Sequence, residues 1–234
     1  MSLISNVDKI LKTKNNLNDI GYLKKPVSYS PDLDIIGVEW RKLLPAPPKN
    51  DSITTIKELK VVSEATKNRT QAELDLVITV DKDPVNLYYK FLESKNLKFP
   101  KSKFFTYWNI FEQIVFALKY YYNRARPEQI APYHGIEINV LHTDTHQTPA
   151  YPSGHAMYGE VAAYVLSDMY PEYKDKFFEM SEYAGLARIL QGVHYPSDNE
   201  ASRIIVENLY DIVKEKLNEY KRSQEISANI PRTT

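Results

Sequence analysis

Cysteine is absent from this sequence. That excludes disulfides, thiolate zinc sites and cysteine nucleophiles together, and leaves redox chemistry silent about the compartment. Glycine is scarce, with seven residues in 234, and no clear run of alternating strands appears. Net charge is missing too, because 30 basic and 30 acidic residues cancel. A neutral total offers no field for nucleic acid or an anionic membrane, so any phosphate chemistry must come from a local cluster. The most apolar segment, Phe104 to Leu118, is interrupted by Asn109 and Glu112. It falls short of the ~20 residues a spanning helix needs, so no transmembrane segment is expected. The N-terminal stretch has no uninterrupted apolar run and carries Asp8, Lys9, Lys12 and Lys14. No signal peptide is read there. The expected location is therefore cytoplasmic, or periplasmic or secreted if a leader was removed.

What is present is a globular composition, 43% apolar and 26% charged, in a chain of one-domain size. Residues 1–50 are mixed and proline-punctuated, ending in Leu43-Leu-Pro-Ala-Pro-Pro48, and read as an extended arm laid over a core. A helical domain is expected over 51–221 and a flexible tail over 222–234. Helices are predicted from Ser52 to about Asp75 with an interruption near Asn68, from Asp83-Pro84 to Glu93, and from Phe104 to Asn123. In the last, Phe111, Ile114, Val115 and Leu118 share one face. Further helices are predicted over 155–169, over Tyr173–Leu190 with Gly192 closing it, and from a capping box at Ser197-Asp-Asn-Glu200 to about Tyr220. The expected fold class is all-α, a single-domain helical bundle.

Three stretches set unusual polar residues beside apolar helices. Lys119-Tyr-Tyr-Tyr-Asn-Arg-Ala-Arg126-Pro127 places Lys119 and Arg126 seven residues apart, two helical turns on one side. Taken alone, these cations read as helix end-capping. Pro149-Ala-Tyr-Pro-Ser-Gly-His-Ala156 suggests a turn into a helix with Ser153 at its N-cap. Backbone N–H groups there, together with the helix dipole, would favour an anion without any positive side chain, although Ser153 and His155 read equally as a plain N-cap and a first-turn surface residue. A nucleophilic serine would want a Gly-x-Ser-x-Gly elbow, but Tyr151 and His155 occupy the glycine positions. Arg188 then ends one helix, His194 sits in the following turn and Asp198 lies in the first turn of the next. An acid at that spacing can hold Nδ1–H and leave Nε2 with its lone pair. His142-Thr-Asp-Thr-His146 suggests a metal cluster at first sight, but reads better as a rim contact to substrate, and no metal is expected.

Taken together, Lys-x6-Arg-Pro, Pro-Ser-Gly-His and Arg-x5-His-x3-Asp resemble the signature of the type 2 phosphatidic-acid-phosphatase superfamily. That superfamily includes the class A non-specific acid phosphatases and the vanadium haloperoxidases. The proline-rich Leu43–Pro48 segment and the helical stretch after it resemble the class A branch, and the likeness covers roughly residues 43–215. Ala187 departs from the pattern, which has serine before the third-block arginine.

The resemblance implies an acid-phosphatase/haloperoxidase-type bundle and a metal-independent acid phosphatase acting on phosphomonoesters. His194 would attack phosphorus to give a phosphohistidine, and Asp198 would orient it. Lys119, Arg126, Ser153, Gly154 and Arg188 would hold the phosphoryl oxygens, while His155 would serve the leaving alcohol and then water. No cofactor is needed. The alternative is a vanadium-dependent haloperoxidase that holds vanadate in the same cradle, and a third reading, prompted by Ala187, is a binding module without catalysis. The implied partners are a small phosphorylated substrate and a second copy of the chain in a homodimer, with no nucleic acid.

Overall fold

In the computed structural model, residues 17–22 and 44–228 are described. Eight α-helices occur among them: α1 (Ile53–Lys67), α2 (Gln71–Lys82), α3 (Asn86–Ser94), α4 (Lys101–Tyr122), α5 (Pro127–Ile130), α6 (Gly154–Met169), α7 (Lys174–Gln191) and α8 (Pro196–Ala228). No strand is found among the described residues, where an isolated bridge pairs Gly21 with Arg124.

Local chemistry accounts for the boundaries. The Ser52 hydroxyl accepts from Thr55 N at 3.1 Å and starts α1. Asn68 ends α1, and Thr70 with Glu73 forms the capping box that starts α2, so the expected interruption is a break between two helices. Asn123 adopts a left-handed conformation with φ 47° and ends α4. Gly192, at φ 88°, closes α7, a conformation glycine takes without a side-chain clash.

Three expectations are corrected. First, α4 ends at Tyr122, and Arg126 is extended at φ −76°, ψ 159°. Lys119 and Arg126 therefore do not share a helix face, since the left-handed Asn123 turns the chain between them. Second, the Ser197/Glu200 capping box does not form. The helix starts at Pro196, Ser197 N donates to Glu58 Oε1 of α1 at 2.7 Å, and Glu200 pairs with Arg203. The Asp198 carboxylate instead accepts from Tyr195 N at 2.9 Å, which satisfies one of the orphan donors at the helix start. Third, α8 runs to Ala228, beyond the expected end near Tyr220.

The core is built around α6, which packs against α7, α8 and α4. It is buried on nearly every side, with Met157, Val161, Ala162, Ala163, Val165 and Leu166 all enclosed. Gly159 permits the closest approach: a Cβ built there would lie 2.7 Å from Ala184 Cβ on α7. Apolar faces of α4 (Phe104, Phe111, Leu118) and α8 (Ile205, Leu209, Val213) complete the cluster. Each such side chain contributes about 1.5–3 kcal/mol on burial. Aromatic pairs tie the layers, including Tyr107 stacked on Tyr210 at 5.0 Å and Trp108 edge-on to Tyr158 at 4.5 Å.

Only part of the expected arm falls on described residues, and that part touches the core. Asn50 Nδ2 donates to the Leu17 and Ile20 carbonyls, Tyr22 OH to His146 O, and Tyr151 OH to Pro45 O. The remainder of the arm, Leu43 included, and residues 229–234 of the expected tail lie outside the described residues. None of the described helices is long and apolar enough to cross a membrane.

Candidate active site

Several helix junctions meet at one end of the bundle: the α4–α5 turn, the start of α6 and the α7–α8 turn. Between them lies a cavity of about 400 Å³ whose wall includes Lys119, Arg126, Gly154, His155 and His194. Ser153, Asp198 and Arg188 stand directly behind that wall, each essentially without solvent contact.

His194 lies between two fixed partners. Its Nδ1 is 3.0 Å from Asp198 Oδ2, and its Nε2 is 3.1 Å from Arg126 Nη1. A carboxylate accepts only, and a guanidinium donates only. The ring therefore carries its proton on Nδ1, and its Nε2 lone pair accepts from Arg126 Nη1 at the cavity wall. Burial, followed by Arg126, holds its pKa well below the usual histidine value, so the ring is neutral. Asp198 is held ionised by Arg124, His194 and the Tyr195 N–H, which together outweigh the cost of burying it.

Arg124 was not among the residues singled out from sequence, yet it organises this corner. Its Nη1 donates to Asp198 Oδ1 at 2.6 Å and to Ser197 Oγ at 2.8 Å, and its Nη2 to Glu58 Oε2 at 3.1 Å. The guanidinium also lies 3.8 Å from the Tyr195 ring centroid. Arg124 is thus a buried cation with two carboxylates of its own.

Lys119 and Arg126 are different. Each is almost fully buried, and among the described residues neither has a carboxylate within ion-pair distance. Lys119 Nζ donates to the Pro149 and Ala150 carbonyls, and Arg126 donates to the Thr148 and Val193 carbonyls. Burial lowers both pKa values, helped by Arg126 acting on Lys119 and by Arg188 acting on Arg126, which is brought to about 10. Two buried cations with no carboxylate partner among the described residues, beside the start of α6, are an arrangement suited to an anion.

Ser153 is the N-cap of α6, its hydroxyl accepting from Ala156 N at 3.4 Å. It is not hydrogen-bonded to His155. Gly154 opens the helix beside the Lys119 side chain. His155 faces the cavity, and burial and Arg188 bring its pKa down to about 3.

Arg188 is more enclosed than expected for a phosphate grip. Its Nη1 donates to Asp81 Oδ1 at 2.7 Å and its Nη2 to Thr145 Oγ1 at 3.0 Å, while Nε has no partner among the described residues. The preceding Ala187 packs in an apolar cluster with Val80 and Ala184. Asp81 also accepts from the Thr143 and Thr145 hydroxyls, and its pKa falls to about 2. Sequence reasoning missed Asp81, Glu58, Arg124 and Thr145. Arg124 could have been flagged as a third cation inside the Lys119–Arg126 block, whereas the carboxylates lie on distant helices and carried no local signal.

The two histidines of the 142–146 segment lie close, with ring centroids 5.7 Å apart, but differ in exposure. His142 is exposed and lies 3.8 Å from Glu128, whereas His146 is buried with Nδ1 toward Thr143. Ligand atoms of Glu128, His142 and His146 fall within 4.8 Å of one another. Burial and the charges of Arg126 and Arg188 lower His146 to about 4, and the same field opposes a metal cation.

Among known proteins, the chain is 41% identical over 56 residues to a non-specific acid phosphatase of Providencia stuartii, covering 24% of this chain and 23% of that one. It is 32% identical over 87 residues to a non-specific acid phosphatase of Salmonella typhimurium, covering 37% and 34%. The matched stretches therefore span about a third or less of the curated relatives. The fold resembles the crystal structure of the first bacterial vanadium-dependent iodoperoxidase, with a TM-score of 0.59 and 17% identity over 90% of this chain and 63% of that one. Residues 104–206, which hold the eight expected site residues, match the PAP2 superfamily family model.

Proposed function

We propose that the chain is a phosphatase that hydrolyses phosphomonoesters through a phosphohistidine on His194. The observation that carries this reading is the pairing of His194, with Nδ1 tied to Asp198 and Nε2 offered beside Arg126. The activity named for the curated relatives supports it.

His194 Nε2 attacks phosphorus in line, and the ester P–O bond opens as the N–P bond forms. Asp198 fixes the ring and offsets the charge it gains. Lys119, Arg126 and Arg188, with Ser153 and the Gly154 N–H, hold the non-bridging oxygens. His155 gives its proton to the leaving oxygen, then takes one from the water that breaks the N–P bond. A phosphate seated between His155 and the cations offsets their charge and raises the ring's pKa from about 3 toward the range of a general acid. The scheme routes no step through a metal.

The same donors fit vanadate. The likeness to an iodoperoxidase, at 17% identity, is one of architecture and favours neither chemistry. The test is hydrolysis of p-nitrophenyl phosphate in EDTA, expected to be blocked by vanadate and lost in His194→Ala. Undiminished hydrolysis by that variant overturns the proposal, and vanadate-dependent bromination of monochlorodimedone would move the site to the haloperoxidase reading.

A further inference from the structure

Beyond the cradle, the cavity continues along one face of α4 and the first turns of α6. Phe116 precedes Lys119 by three residues and Tyr158 follows His155 by three, so each aromatic stands one turn from a cradle residue. Glu112 lies one turn further along α4, about 10 Å along the axis from Lys119, and Trp108 lies beyond it against Tyr158. Glu112 is half-buried in the cavity wall, with no hydrogen bond or ion pair to any described residue. Asp83, across the cavity mouth, already accepts from Val85 N at 3.1 Å. The exposed Lys82 shares that mouth. The cavity is thus polarised, with cations and helix N–H groups at one end and an unpaired carboxylate among aromatic rings at the other.

A carboxylate flanked by aromatic faces is an environment that stabilises an organic cation, by charge and by cation–π attraction. An uncharged leaving group would leave Glu112 desolvated with nothing to offset it. We propose that the preferred substrates are phosphomonoesters of amino alcohols. The phosphate would sit in the cradle, the short carbon chain between Phe116 and Tyr158, and the ammonium group against Glu112. This inference rests on the phosphatase reading for turnover but not for binding.

The experiment compares phosphocholine with its uncharged carbon isostere, in which a tert-butyl group replaces trimethylammonium, and phosphoethanolamine with propyl phosphate. In each pair, the charged ester is expected to have a kcat/KM about tenfold higher, the worth of one partly desolvated charge contact. In Glu112→Gln the ratio is expected to fall to about one. Because the ratio is taken within one protein, a general loss of stability does not imitate this result. Binding of aminoethylphosphonate against propylphosphonate, by calorimetry, reads the same preference without turnover. Hydrolysis with no preference for the charged member, or a preference that Glu112→Gln leaves intact, overturns the inference and spares the phosphatase reading. Selective binding with no phosphate released from any ester does the reverse, and absence of both binding preference and hydrolysis overturns both.

Discussion

Asp81 Oδ1 accepts from Arg188 Nη1 at 2.7 Å, so a carboxylate from α2 occupies one edge of a guanidinium proposed to hold phosphate. The same oxygen takes the Thr143 and Thr145 hydroxyls, which ties the 143–146 segment to the cradle. An anion entering the cradle competes with Asp81 for Arg188. In Asp81→Asn the competitor loses its charge but keeps an acceptor oxygen. Inorganic phosphate is then expected to inhibit hydrolysis with a Ki lower by about three- to tenfold, the scale of one partly exposed charge pair. A Ki unchanged or raised in competitive-inhibition assays contradicts this arrangement.

Arg124 is expected to be the costliest cation to remove. Replacing it by alanine strands Asp198 and Glu58 as buried carboxylates. The expected loss is about 3–5 kcal/mol in urea unfolding, together with loss of hydrolysis as Asp198 no longer holds His194 in position. A loss below about 1 kcal/mol would mean that water replaces the guanidinium at little cost.

Glu160 should make stability depend on pH in the sense opposite to the site histidines. Burial raises its pKa to about 7. Ser181 Oγ contacts both Glu160 Oε2 and the Phe178 carbonyl, yet it has one proton to donate. A protonated Glu160 can donate to Ser181 and free that proton for Phe178. With the folded pKa raised above the unfolded value, this stability is present below about pH 4.5 and lost as pH rises through about 7. His155 and His146 have folded values depressed to about 3 and about 4, so their contribution is present above the unfolded histidine range and lost as pH falls. Glu160→Gln should therefore raise stability at pH ~8 by roughly 1–3 kcal/mol relative to pH ~5, leaving the acid side unchanged. Parallel stability curves for variant and parent would refute it.

Gly159→Ala tests the α6–α7 contact. The added methyl meets Ala184 Cβ at 2.7 Å, so α6 and α7 must shift apart within the buried core. Overpacking of this kind costs about 1–3 kcal/mol, and thermal unfolding should show a corresponding drop in Tm. Because α6 carries Ser153 and His155, kcat should fall as well.

Most of the helical layout was legible in the sequence because apolar spacing and caps are local. Ser52, Asn68, Gly192 and the Phe111–Leu118 stripe each act within a few residues of themselves. That three polar blocks stand at helix ends was also legible, and the structure brings those ends together around one cavity. What was not legible lies across the fold. Nothing near Asp81 announces that it will meet Arg188, 107 residues away, and Glu58 lies 139 residues from the Ser197 that it bonds. The Lys119–Arg126 spacing misled for a related reason. A seven-residue interval implies one face only while the helix continues, and Asn123 turns the chain before Arg126 is reached.

The most direct measurement is to find where phosphorus resides during turnover. The protein is mixed with excess p-nitrophenyl phosphate, quenched within milliseconds at alkaline pH, digested and mapped by mass spectrometry. The predicted result is an acid-labile phosphoryl group on His194 that is missing in His194→Ala. A phosphoryl group on any other residue, or steady turnover with none on the protein at any time, would contradict it.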